Sequence, residues 1–305
     1  MKLQNKKFED YIDCDISLQP NINKLYDSFP KNIIDLKNII MYGSKSIGKY
    51  TQILNLIKKY SPSNLKYEKK LQIEYNKNNY FYKMSDIHFE IDMELLGCNS
   101  KLLWNEIYYK IIDITLSKKY KSSIILCKNF HEIHNELLDN FYSYMQSLLL
   151  NNNIKIIFII STEHISFIPN NILNSCKTIT LKKPSNKIYN MCYVNNNDLL
   201  FNPDYDNNYK KICDNIINYI ININDVSFLK IREEIYNIFV YNLNIYECIY
   251  YILEVIIHKK KIKKKHINDI IYDTYSVLKY YNNNYRPIFH LEKFIFNLIK
   301  IINDY

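Results

Sequence analysis

The sequence predicts an α/β domain, a parallel sheet with flanking helices, followed by an all-α region. Three observations carry this. Short apolar runs alternate with helical spacing through residues 38–181, in the order that builds a parallel sheet covered on both faces. Beyond Pro184 strand patterning stops and long helical periods take over. Two of the chain's 3 glycines, Gly43 and Gly48, stand between the first apolar run and the first helical stretch.

Each element follows from its own pattern. Residues 1–37 are mixed, with Pro20 and Pro30 breaking periodicity. Residues 38–43 read as a buried strand ending in a turn, and Ile53, Leu54 and Ile57 give 49–60 a helical spacing. One or two strands fall around 71–75 and 80–82, within polar loops, and 88–91 alternates like a strand. Leu103, Trp104, Ile107, Ile111 and Ile114 line one face of a helix over 100–116. The runs 123–127 and 155–161 have continuous apolar interiors, Ile124–Cys127 and Ile156–Ile160, as strands buried on both faces must. Helices are predicted at about 135–149 and 169–175, and a last strand at 178–181. The segment 188–208 reads as a polar loop with at most one helix. Five helices then follow at about 208–222, 227–241, 244–258, 266–282 and 287–303. No internal repeat is present.

Composition excludes several classes. The 305 residues suffice for about two domains, and 48% are hydrophobic, enough for sizeable cores. No apolar run reaches the roughly 18 residues of a membrane span, and the first residues lack a secretory pattern. The expectation is a soluble intracellular protein with no membrane partner. Cysteines 14, 98, 127, 176, 192, 213 and 248 form no C-x-x-C pair, and no cysteine pair stands beside His131 or His134, so no metal site is expected. The bias toward Asn, Ile, Lys and Tyr is that of AT-rich codons, and runs such as 151–153 and 195–197 read as loop filler. Net charge is +9, which fits a polyanionic partner. Arg232 and Arg286 are the only arginines, so contact with nucleic acid would be sequence-independent lysine attraction.

The chemical motif is Gly43-Ser44-Lys45-Ser46-Ile47-Gly48-Lys49-Tyr50-Thr51, of the form G-x-x-x-x-G-K, placed after a strand and before a helix. Glycine lets the backbone curl and offer N–H groups to phosphate oxygens, the helix start adds its dipole, and Lys49 would reach the terminal phosphates. An ordinary strand–turn–helix is the competing reading. The pattern departs from its consensus at Tyr50, where a magnesium-binding hydroxyl should follow the lysine; Thr51 comes one residue late. A second departure lies after the apolar run 124–127. An aspartate and a glutamate belong there, to hold the metal shell and activate water, but the chain has Lys128 and Asn129. Glu132 and Glu136 read as solvated helix residues.

Several segments, taken in order, resemble the AAA+ sliding-clamp loader family, in particular the subunit 3-like small subunits of replication factor C. Residues 39–51 resemble the family's P-loop, where a non-hydroxyl residue and then threonine also follow the lysine. His88-Phe-Glu-Ile-Asp-Met-Glu-Leu-Leu-Gly97 resembles its strand and glycine-ended loop, and 124–145 its acidic-motif strand and helix. Residues 167–176 resemble its box ending Ser-Arg-Cys, and 280–294 its last helices. The resemblance spans most of residues 38–303. It implies an AAA+-like nucleotide-binding domain over 1–183, a reduced lid over 184–225, and a helical collar over 226–305 that binds sister subunits.

It also implies ATP as the candidate cofactor, with the magnesium ligands missing, and as partners the other loader subunits, a sliding clamp and primer–template DNA. The location implied is sites of DNA replication, in the nucleus, or in the cytoplasm for a viral protein. The box that should supply an arginine finger reads Asn174-Ser175-Cys176, and the sensor asparagine is replaced around Thr162 and Glu163. The expected role is a largely non-catalytic loader subunit without ATPase activity of its own. The alternatives are a nucleotide-independent scaffold that inherited the fold and an active P-loop ATPase. The stripe Ile249, Ile252, Leu253 and Ile256 suits either a partner surface or ordinary helix core. The lysine run 259–265 suits either DNA contact or a solvated loop.

Overall fold

The computed structural model describes residues 7–12, 18–19, 22–45, 47–75, 78–146, 154–184, 205–222, 227–241, 243–259, 262–281 and 286–303. The chain divides into two compact units, Met1–Asn197 and Asp198–Tyr305.

The first unit is a seven-stranded sheet. Its strands are β1 (Asn38–Tyr42), β2 (Lys69–Tyr75), β3 (Asn78–Met84), β4 (His88–Asp92), β5 (Ser122–Lys128), β6 (Lys155–Thr162) and β7 (Cys176–Thr180), in the spatial order β2-β3-β4-β5-β6-β1-β7. The five strands from β4 to β7 pair in parallel, while β2, β3 and β4 pair antiparallel. Central β5 and β6 are buried almost end to end, which is why their sequences are continuous apolar runs. The β2–β3 hairpin lies at the edge, and there alternation returns: Ile73 and Tyr82 are buried while Phe81 is exposed. Sequence pattern indicated one or two short strands here; the pairing runs in full from Lys69↔Met84 to Tyr75↔Asn78.

Helices cover both faces. On one, α4 (Ser100–Ser117) and α5 (Asn135–Gln146) bury Leu103, Trp104, Leu137 and Phe141 against Phe89, Ile125 and Phe158. On the other, α3 (Lys49–Lys58) buries Ile53, Leu54 and Ile57 against Ile39, Leu126 and Ile159. Two short helices before the sheet, α1 (Phe8–Ile12) and α2 (Ile22–Asp27), join this second core through Phe8 and Tyr26, elements the mixed pattern of residues 1–37 concealed. A short α6 (Asn170–Ser175) leads into β7. The helix that follows β1 covers the opposite face of the sheet from α4 and α5.

The second unit contains α7 (Tyr205–Ile221), α8 (Phe228–Val240), α9 (Ile245–His258), α10 (Ile267–Tyr281) and α11 (Pro287–Ile302). They share one core that includes Cys213, Ile216, Ile220, Ile235, Ile252 and Phe294. Helix α7 falls within the segment that the sequence assigned to a lid, yet its buried face belongs to this core. The rest of that segment, 185–204 and 223–226, lies outside the described residues. Ile249, Ile252 and Ile256 are buried in the unit's own core, which settles their stripe as internal packing, with Leu253 partly buried beside them. Lys259, Lys263 and Lys265 are exposed between α9 and α10. Among the described residues, no helix is long and apolar enough to cross a membrane.

Candidate functional site

The loop from Gly43 to Gly48 joins β1 to α3 at the carboxyl end of the sheet. Its glycines have distinct reasons to be there. A Cβ on Gly43 would collide with Ile47 Cδ1 and lie 3.0 Å from the Leu181 carbonyl oxygen. Gly48, immediately before α3, adopts φ 86°, a left-handed conformation that side chains resist. Ile47 anchors the loop in the core, while Ser44 and Lys45 are exposed. Gln19 braces it from outside, donating from Nε2 to the carbonyls of Ile47 (3.5 Å) and Lys182 (2.6 Å). Ser46 lies outside the described residues. The first-turn amides of α3, at Lys49, Tyr50 and Thr51, have no acceptor within the helix and point toward the loop.

Lys49 is fully engaged. Its ammonium donates to the carbonyls of Gly43 (2.8 Å) and Ser44 (2.7 Å) and lies 3.5 Å from Glu163 Oε1. An ammonium has three N–H donors, and all three have partners. Burial lowers the Lys49 pKa, Glu163 opposes that shift, and Lys45 adds to it. Glu163, just past β6, thus places a carboxylate on the lysine that the motif reserves for phosphate. The side chains of the pair are only 12% and 16% exposed.

The positions where the motif's consensus would place metal ligands hold something else. Tyr50 and Lys128 touch: the Lys128 ammonium sits 4.6 Å from the Tyr50 ring centroid and 3.9 Å from Glu90 Oε2. Glu90 lies two residues before the end of β4, on the same face as Lys128, because β4 and β5 run in register from His88↔Ile124 to Asp92↔Lys128. Its carboxylate is almost fully buried, with Oε1 3.5 Å from His88 Nε2. Burial pushes the Glu90 pKa up, but His88, Lys128 and Tyr50 outweigh it and hold the carboxyl below its ordinary value. Burial and then the Glu90 carboxylate push the Tyr50 phenol well up, so it stays neutral. Tyr11 of α1 packs edge-on against the Tyr50 ring with centroids 4.9 Å apart. Lys128 thus has a resident carboxylate and an aromatic face as partners.

Asn129 adopts a left-handed φ of 49° and donates from Nδ2 to both carboxylate oxygens of Asp92, at 3.0 and 3.2 Å. Glu132 ends the short turn after β5, and Glu136 lies in the first turn of α5. Magnesium requires a near-octahedral set of oxygen ligands. Here the adjacent positions offer an ammonium, an amide and a neutral phenol, while the carboxylates of Glu90, Asp92 and Glu163 are taken by Lys128, Asn129 and Lys49. This donor set does not fit the ion.

Two histidines lie close to Glu163. His131 and His164 lie edge-to-face with centroids 5.7 Å apart, and the Glu163 amide donates to His131 Nδ1 at 3.4 Å. Burial, then His131 and Lys49, lower the His164 pKa to about 3. Burial also lowers His131, against the opposing pull of Glu163 and Glu132. Asn174, Ser175 and Cys176 stand apart, at the junction of α6 and β7. Asn174 is exposed, Ser175 Oγ donates to the Ile172 carbonyl at 2.8 Å, and burial pushes the Cys176 thiol up to about 11. The residues that sequence reasoning missed are Glu90, Asp92, His131, His164 and Tyr11. A usable signal existed for the first two: His88, Glu90 and Asp92 alternate along one strand face, and polar groups directed at a core require partners.

The molecule is therefore a mostly parallel α/β unit, carrying a glycine loop at the carboxyl end of β1, followed by a separate helical unit. No protein family and no curated protein matches the sequence. Solved structures that align with this chain include RIF2 of Saccharomyces cerevisiae, with TM-score 0.37 and 15% identity over 70% of this chain and 73% of that one. PCH-2 of C. elegans aligns with TM-score 0.34 and 10% identity, covering 93% of this chain and 66% of its own.

Proposed function

We propose that this chain is a largely non-catalytic, AAA+-like subunit of a replication factor C-type clamp loader, contributing structure to the loading of a sliding clamp onto primed DNA. One observation carries the non-catalytic part. At the end of β5, where hydrolysis needs a metal-binding aspartate and a base, Lys128 is paired with Glu90 and Asn129 is tied to Asp92. Neither side chain can take a proton from water as a carboxylate does. The order of sequence segments from the glycine loop to the last helices supports the loader assignment, and the net charge of +9 suits a polyanion. The exposed face of α8, with Leu229 67%, Tyr236 47% and Val240 72% exposed, suits packing on sister subunits.

A second reading, a scaffold that needs no nucleotide, is favoured by the saturation of Lys49 by Gly43, Ser44 and Glu163. Native mass spectrometry of the complex purified through this chain tests the loader assignment. Co-purification of P-loop subunits and a ring-shaped clamp is expected, and a monomer or partners of unrelated type would overturn it.

A further inference from the structure

We propose that the β1–α3 loop takes a polyphosphate anion without a divalent metal, and that the Lys128 ammonium, held by Glu90 and the Tyr50 ring, supplies positive charge that a metal ion would otherwise bring. This rests on reading the glycine loop as phosphate-binding. The argument begins from two positions. In a loop of this pattern the residue after the lysine and the first residue past the apolar strand together hold the metal. Here they are Tyr50 and Lys128, and they are in contact. An ammonium therefore lies between the two places from which metal ligands would come.

That ammonium is fixed and accessible. Glu90 Oε2 is 3.9 Å away on a carboxylate that is 3% exposed, whereas Lys128 itself is 33% exposed. Glu90 is in turn accompanied by His88 at 3.5 Å, so the charge sits on a built scaffold rather than on a free surface chain. A dication placed beside Lys128 would meet like-charge repulsion and find its carboxylates already committed. A phosphate chain meets the reverse: Lys128, the first-turn amides of α3, and Lys49 once it exchanges the Glu163 carboxylate for a phosphate oxygen.

The test is calorimetric titration of the full chain with ATP and with inorganic tripolyphosphate, each in excess magnesium and in chelator. Wild-type affinity for ATP is expected to change by less than about threefold between the two conditions. Lys128→Met should lose about tenfold or more in chelator, the scale of one charge-assisted contact. Lys128→Arg keeps the charge and should retain binding, which separates charge from folding. Tighter binding of ATP than of tripolyphosphate supports a nucleotide as the ligand, and equal binding supports recognition of the phosphate chain alone. Wild-type affinity that collapses in chelator, Lys128→Met binding like wild type, or no binding by wild type would each overturn the inference. Failure of the loader assignment would appear separately, as the absence of loader subunits from the purified complex.

Discussion

Glu163→Gln removes the carboxylate that occupies Lys49 while keeping the side chain's shape. The pair lies at 3.5 Å with both side chains mostly buried. At an effective dielectric constant of about 20, its gross Coulomb attraction is about 5 kcal/mol. Desolvation of both charges offsets much of that, leaving a net of ~1–2 kcal/mol for a part-buried pair. A phosphate arriving at Lys49 must displace this interaction and approach the Glu163 charge as well. The neutral variant should therefore bind tripolyphosphate about 5–30-fold more tightly, the ratio equivalent to ~1–2 kcal/mol. Calorimetry at fixed ionic strength measures it, with near-UV circular dichroism confirming the fold. Affinity equal to or weaker than wild type would refute the idea that Glu163 competes for the lysine.

Other consequences follow from burial and charge. Trp104 is fully buried with its ring 5.2 Å from Phe141, so Trp104→Ala should cost about 3–5 kcal/mol in urea-unfolding free energy. A segment 198–305 should fold cooperatively when monitored by circular dichroism, whereas 226–305 should not. The shorter piece lacks Cys213, Ile216 and Ile220, fully buried side chains of which the isoleucines are worth about 1.5–3 kcal/mol each. Acidification should destabilise the first unit. His164 falls from an ordinary 6.5 to about 3 on folding, and His131 also falls. Between those values the unfolded chain binds the proton that the folded one refuses, so stability is full above about pH 6.5 and declines as pH drops toward 3. A urea midpoint at pH 5 no lower than at pH 7 would contradict this.

The parallel strands, their helices and the glycine loop were legible because each has a local cause. Ile124 to Cys127 had to be apolar on both faces, and Gly43 and Gly48 stand where a Cβ would collide or φ is positive. The departures from the motif's consensus at Tyr50, Lys128 and Asn129 were equally visible, since they are a matter of residue type at known spacing. The partners of these residues were not. The pairing of Lys128 with Glu90 depends on the register between β4 and β5, separated by a helix, and the approach of Glu163 to Lys49 spans strands β1 and β6. Such contacts are set by sheet order, which no local pattern encodes. Helix α7 was legible as a helix while its partners were not, for the same reason: its length is local, and its contacts across the core are not.

The central claim is that this glycine loop serves a domain without chemistry of its own. Steady-state hydrolysis of magnesium-ATP by the purified full chain tests it most directly, with Lys49→Ala as the control for contaminating ATPases. The structure leads us to expect no phosphate release above that control, because Lys128 and Asn129 stand where the carboxylates would act. Turnover on the order of 1 per second that Lys49→Ala abolishes would contradict the account.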